Sequence, residues 1–177
     1  MSKDFFKNKY VIGSPRYEKH DYSGGIYFIT ICTAQREHFF GEIKNATMHL
    51  SKIGYILEQE IGAINSHHPY AFVHTYTIMP NHLHLIIEID KKLVPYKRRN
   101  NNEPKNMRDL NFESGWLSIT ISGLKSRVKK SAKKNGVQFN WQARFYDHII
   151  RTEQSYKAIY HYIQDNVANW SNGTKKN

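Results

Sequence analysis

His82 and His84 stand one residue apart in the run Met79-Pro80-Asn81-His82-Leu83-His84-Leu85-Ile86-Ile87. Residues i and i+2 of a strand point to the same face. In a strand the two imidazoles therefore emerge side by side, close enough to share one metal ion, and Leu83 turns the other way toward a core. Imidazole binds divalent metals generally, and oxygen ligands that complete an open site admit magnesium or manganese. A histidine pair alone can equally decorate a polar strand face; its place at the start of an apolar strand, straight after a tight turn, favours a site. Tyr162 and Asn166 are four residues apart, so on a helix they share one face. They lie beside the apolar stripe rather than in it. A phenol there can reach a site on a sheet beneath the helix, and the amide one turn later can offer its oxygen to a metal. On the helix alone, a rim aromatic and a surface amide describe the two residues as well. Tyr156 and Tyr160 are read as core packing.

A third group is cationic. Lys125, Arg127, Lys129, Lys130, Lys133 and Lys134 crowd one segment, as either a solvated helix surface or a phosphate-binding one. Arg144 and Arg151 flank Asp147 in the dense stretch Trp141–Arg151, where an ion pair within a strand and a DNA contact are both open readings. Trp116, Phe139, Trp141, Phe145 and Tyr146 could stack on unpaired bases, although most suit a core. His38, His49, His67, His68, His74 and His161 are read as surface or packing histidines.

The whole chain carries a net charge of +11, and 40% of its 177 residues are hydrophobic. It is therefore no disordered polyelectrolyte, and a basic globular domain usually meets a polyanion. Nucleic acid is the first candidate and an anionic membrane surface the second. Cys32 is the only cysteine, which excludes disulfide scaffolds and thiolate zinc sites within one chain. The N-terminus lacks the apolar core of a signal peptide, and no run approaches the roughly 18 apolar residues of a membrane span. The expectation is a soluble cytoplasmic protein.

Elements must hold these groups in place. Ile26–Thr33 is a β-branched and aromatic run, a buried strand. A turn follows at Phe39-Phe40-Gly41, then a short strand over Ala46–Leu50. Ser51 opens a helix to about Asn65, with apolar positions Ile53, Ile56, Leu57, Ile61 and Ile64. Tyr70–Met79 and His82–Ile89 form a hairpin across Pro80-Asn81. Trp116–Lys134 is a second helix, stopped by Asn135-Gly136. Val137–Ile150 is a loop and then a strand. Thr152 caps a last helix to about Trp170, with a stripe of Tyr156, Ile159, Tyr160, Ile163 and Val167. Residues 1–24 read as a basic arm, 25–172 as one domain with an exposed loop at 91–113, and 173–177 as a frayed tail. The order strand, helix, strand, strand, helix, strand predicts an α+β, ferredoxin-like (RRM-like) sandwich. Its antiparallel sheet carries helices on one face, and a C-terminal helix is added.

Three ordered motifs, MPNHLHLII, WQARFYDHIIR and YKAIYHYIQDN, resemble the REP-associated tyrosine transposases of the HUH single-tyrosine superfamily. The likeness runs from about Tyr27 to Trp170. It implies the same ferredoxin-like fold, with the last helix carrying the catalytic tyrosine. It implies that His82 and His84 are the paired metal ligands, that Asn166 is the third, that Tyr162 is the nucleophile, and that the ion is Mg2+ or Mn2+. The reaction implied is cleavage of single-stranded or hairpin DNA through a 5′-phosphotyrosine, releasing a 3′-OH that can rejoin strands, at repetitive hairpins of the REP kind. A free phenol titrates near 10, so Tyr162 would need activation. Such proteins act as a monomer in cis or a homodimer in trans; the resemblance leans to the monomer, cytoplasmic and nucleoid-associated when bound. Val167 stands where the family often has proline, so the last helix is expected to run longer here. The rivals are a domesticated DNA-binding protein without chemistry and a nuclease using water. An RNA-binding sheet is disfavoured, because no RGFGFVxF-like strand is present.

Overall fold

The computed structural model describes residues 24–95 and 115–170, with the backbone of Phe5–Phe6 and Tyr10–Val11. Those two short pieces, β1 and β2, pair antiparallel. The rest of the expected arm, the 96–113 part of the expected loop and the 173–177 tail lie outside the described residues. Then follow β3 (Gly25–Cys32), a 3-10 turn (Ala34–Arg36), β4 (Gly41–Lys44), β5 (Thr47–Leu50), α1 (Lys52–Gly62), α2 (Ile64–His67), β6 (Ala71–Met79) and β7 (His82–Ile89). The chain resumes with α3 (Trp116–Lys134), β8 (Tyr146–Ile150) and α4 (Glu153–Asp165).

The main sheet has four strands in the order β6-β7-β3-β8, all antiparallel. This is the ferredoxin-like arrangement, with β3 and β7 central. A central strand is covered on both faces, and β7 shows it: seven of its eight residues are buried. Its two faces serve different neighbours. Leu83, Leu85, Ile87 and Ile89 enter the large core, where they meet Ile53, Leu57 and Ile61 of α1 and Leu117, Ile121, Leu124 and Val128 of α3. Ile86 emerges on the other face, in a small cluster with Ile150 and Ile163, against which Ile26, Phe28, Tyr156 and Ile159 pack. That cluster seats α4. Ile163 is the one fully buried residue of this helix; burying such a side chain contributes about 1.5–3 kcal/mol.

The helix starts follow their caps. Ser51 Oγ accepts from the Gly54 amide at 3.1 Å, and Thr152 Oγ1 accepts from the Ser155 amide at 3.1 Å. Each satisfies one of the amides a first turn leaves without a partner. Helix α3 ends before Gly136, whose φ of 72° is the left-handed conformation that glycine adopts freely. Three expectations need correction. Gly41–Lys44 is a strand, paired with β5, where only a turn was read; the alternation is short and mostly exposed. Helix α4 stops at Asp165 with Asn166 as its C-cap, so the absence of proline at 167 does not prolong it. Tyr160 is 37% exposed. It stacks on Tyr156, with centroids 6.3 Å apart, at the rim and not in the core.

Gly54 illustrates how packing overrides propensity. Alanine would ordinarily favour a helix interior by about 1 kcal/mol over glycine. Here an added Cβ would meet the Phe40 carbonyl oxygen, which also accepts from the Ser51 amide at 2.8 Å. Backbone cannot yield as a flexible side chain can. Gly54→Ala should therefore destabilise the protein by about 2 kcal/mol and lower Tm by roughly 4–8 °C, as thermal unfolding would show. A raised Tm would mean that propensity decides at this position.

Candidate active site

The alternation of β7 puts His82 and His84 on the α4 face. They are only 8% and 5% exposed, and their ring centroids are 4.5 Å apart. The register sets Thr30 of β3 opposite His84 and Cys32 opposite His82. Each ring is held from behind. His82 Nδ1 lies 2.7 Å from Asn81 Oδ1, and His84 Nδ1 lies 2.8 Å from Thr30 Oγ1. Phe28 stacks flat against His84, with centroids 5.2 Å apart and an interplanar angle of 25°.

Burial decides the charge of the pair. Desolvation, with a smaller push from the Arg36 cation, lowers His82 from the ordinary 6.5 to about 4. Desolvation, then neighbouring His82, then Arg36, lower His84 to about 3. At neutral pH both rings are uncharged, the form in which imidazole offers a lone pair to a metal.

Tyr162 reaches the pair from α4. Its hydroxyl is 3.4 Å from His84 Nε2, at the long end of a hydrogen bond. Packing therefore places the ring more than that contact does: it meets Phe28 edge-on at 6.1 Å and His84 at 5.4 Å. The side chain remains 52% exposed, open to a large substrate. Asn166, half-buried one turn on, has Nδ2 3.5 Å from the Tyr162 carbonyl. Among the described residues no contact joins it to the histidines. No three His, Cys, Asp or Glu side chains cluster as a metal cage among the described residues. The donor set here is two neutral nitrogens, and an amide oxygen or solvent must complete any coordination. Two imidazoles side by side with their Nδ1 atoms engaged fit a divalent ion held through Nε2.

Four neighbours were not legible as site residues. Phe28 and Thr30 enter through strand pairing, which has no local signal. Asn81 reads as a turn residue, although its place next to His82 was a clue. Trp170 lies beyond α4, with its ring 5.9 Å from His82 and 6.0 Å from His38, so it walls the end of the site opposite Tyr162. The packing histidines have partners of their own: His38 meets Trp170. His68 Nδ1 is 3.0 Å from Tyr70 Oη, and His74 bridges Glu88 at 2.9 Å and Tyr156 at 3.2 Å.

The cationic residues distribute differently from expectation. Helix α3 packs on the large core, so the sheet lies between it and Tyr162. Lys125 donates to the Gln142 and Arg144 carbonyls at 2.8 and 2.9 Å. Arg127 pairs with Glu60 at 3.0 Å. Both are thus committed within the fold. Lys129, Lys130, Lys133 and Lys134 are exposed. Arg144 and Arg151 are exposed at the two ends of β8, the edge strand beside the site. Tyr146 on β8 is 48% exposed and meets Phe28 edge-on at 6.4 Å. Among the described residues no helix is long and apolar enough to cross a membrane.

Comparison with known proteins bears on the fold. No protein-family model matches the chain. An uncharacterized protein of Haemophilus influenzae is 38% identical over 163 residues, covering 89% of this chain and 88% of its own. A solved REP-associated tyrosine transposase bound to a REP hairpin superposes with a TM-score of 0.53 at 19% identity, over 89% of this chain and 74% of that one. The fold is therefore the one the motifs implied.

The buried histidines make stability depend on pH. The folded state holds both rings below 6.5, so as pH falls the unfolded chain takes up protons first. The stability present above pH 6.5 is lost between 6.5 and about 4 for His82, and down to about 3 for His84. Metal-free protein should lose on the order of 3 kcal/mol or more across that window, measured by denaturant unfolding. His82→Gln/His84→Gln should flatten this part of the profile. Parallel profiles for the two proteins would rule out the buried pair as its source.

Proposed function

The chain belongs to one family with the Haemophilus influenzae protein, and on that premise we propose that it is a transposase-like enzyme that nicks and rejoins single-stranded or hairpin DNA through Tyr162. The observation that carries this reading is the approach of Tyr162 Oη to within 3.4 Å of His84 Nε2, between residues 78 apart in sequence. A phenol, a buried neutral imidazole pair and an open face are what single-tyrosine phosphoryl transfer requires. In the step proposed, Tyr162 Oη loses its proton and bonds to the scissile phosphorus. The bond from phosphorus to O3′ breaks, and O3′ takes up a proton. The product is a 5′-phosphotyrosine and a free 3′-OH; attack by another 3′-OH reverses the step and joins strands.

His84 is the nearest nitrogen, but it is no base for this reaction. Burial holds its ring far less basic than a free imidazole, so it is a poor acceptor for a phenol's proton. So weak a base suits ligation better than proton transfer. A divalent ion, Mg2+ or Mn2+, held by His82 and His84 with Asn166 as third ligand would withdraw charge from the scissile phosphate. The chain's own part is to keep both rings neutral and dry and to hold the phenol beside them. Exposed Tyr146 supplies an aromatic surface where an unpaired base can stack. The REP hairpin bound by the solved structure of similar fold supports hairpin DNA as the substrate class proposed here.

A second reading, DNA binding without chemistry, has one observation in its favour: the Asn166 amide turns to the Tyr162 carbonyl and not to the histidines. One experiment separates the two. Purified protein is incubated with Mn2+ and labelled hairpin-bearing single-stranded oligonucleotides, then run on a denaturing gel. A covalent band is expected, absent in both Tyr162→Phe and His82→Ala, while Tyr162→Phe still binds DNA as the parent does. An adduct in Tyr162→Phe would sink the assignment of the nucleophile, and tight salt-sensitive binding without any adduct would support the second reading. Replacing Lys129, Lys130, Lys133 and Lys134 by alanine should weaken DNA binding and reduce its dependence on log salt by about 0.7–0.9 for each phosphate no longer neutralised. Adduct yield at saturating DNA should not change, since these lysines lie across the sheet from Tyr162. A loss of adduct at saturation would place them on the path to the site instead.

A further inference from the structure

The position of the proton on His82 can be worked out from an atom on another loop. The Arg36 carbonyl oxygen can only accept. The Asn81 side-chain atom that meets it at 3.1 Å is the amide nitrogen, which donates. The other arm of the same planar amide, Oδ1, faces His82 Nδ1 at 2.7 Å. An amide oxygen has no hydrogen to give, so Nδ1 must carry one. Nε2 is left with its lone pair.

We propose that Asn81 is a positioning residue that fixes His82 as the Nδ1–H tautomer, and that the left-handed turn at Gln35 and Arg36 fixes Asn81. The two turn residues have φ of 53° and 58°, a left-handed conformation that non-glycine residues rarely adopt without support. It persists because the turn is pinned at its base. Thr33 N donates to the Asn81 main-chain carbonyl at 3.0 Å, and the single hydrogen of Thr33 Oγ1 is shared between the Glu37 carbonyl at 2.7 Å and the Asn81 carbonyl at 3.0 Å. Asn81 is therefore gripped at its backbone and its side chain by the same loop. His84 has no such device. Its Nδ1 partner is the Thr30 hydroxyl, which can donate or accept, so the two rings of one pair are controlled unequally. The functional weight of this relay rests on the reading that His82 is a metal ligand; the tautomer itself does not.

Long-range 1H–15N NMR of the full-length, metal-free, 15N-labelled protein near neutral pH reads the tautomer directly. His82 should show a protonated Nδ1 and an unprotonated Nε2. Asn81→Ala should lose that preference, Asn81→Asp should keep it because the acceptor oxygen remains, and Thr30→Val should leave His82 unchanged. Mn2+ affinity, followed by electron paramagnetic resonance, should fall about 10–100-fold in Asn81→Ala and by less in Asn81→Asp. A proton on Nε2 of His82 in the parent protein overturns the proposal and needs no variant to fold; so does an Asn81→Ala protein whose tautomer is unchanged. An Nδ1–H ring that Asn81→Ala releases, in a parent protein that takes up no Mn2+, supports the relay and defeats the metal reading. Mn2+ uptake with an Nε2–H ring in the metal-free parent does the opposite.

Discussion

One strand buried on both faces governs this structure. β7 must present leucine and isoleucine to the helical core and the two histidines to the opposite side, and a strand's period of two permits both at once. A slip of one residue against β3 would drive imidazoles into the hydrophobic core and put leucines under α4. The large core thus enforces the register of the candidate site. Leu83, between the two histidines, is fully buried in that core, so hydrophobic packing fixes the face on which the pair emerges.

Dehydration then sets the chemistry. A buried imidazole cannot keep a proton easily, because the charge would have to give up its water. The two rings accordingly stay neutral, and their Nδ1 atoms are engaged by Asn81 and Thr30. Phe28 contributes from both sides, lying flat on His84 and edge-on to Tyr162. The polar atoms that matter are few, and apolar surfaces hold each of them.

What the sequence revealed was whatever is encoded locally. The shared face of His82 and His84 follows from alternation, and the caps at Ser51 and Thr152 follow from side-chain chemistry beside the helix start. The ferredoxin-like order of elements followed from periodicity. The rest depends on partners distant along the chain. Thr30 and Phe28 join the histidines only because β3 pairs with β7 in one register. Lys125 and Arg127 looked like their exposed lysine neighbours until carbonyls 17 and 19 residues away and Glu60, 67 residues away, claimed them. Tyr160 fitted the apolar stripe of α4, yet the small cluster beneath is too narrow to cover it. Asn81 was read as a turn former, and its side chain proved to connect two loops.

The seating of α4 has its own consequence. One fully buried isoleucine, a few partly covered apolar neighbours, two side-chain bonds to β6, from Gln164 to Thr75 and from Tyr156 to His74, and the contacts of Tyr162 with His84 and Phe28 hold it down. The helices across the sheet share a far larger core. Segments anchored this lightly open at a smaller free-energy cost than the global unfolding of a domain. The phenol therefore rides on the more lightly anchored of the two supports, while the histidines stay embedded in the sheet.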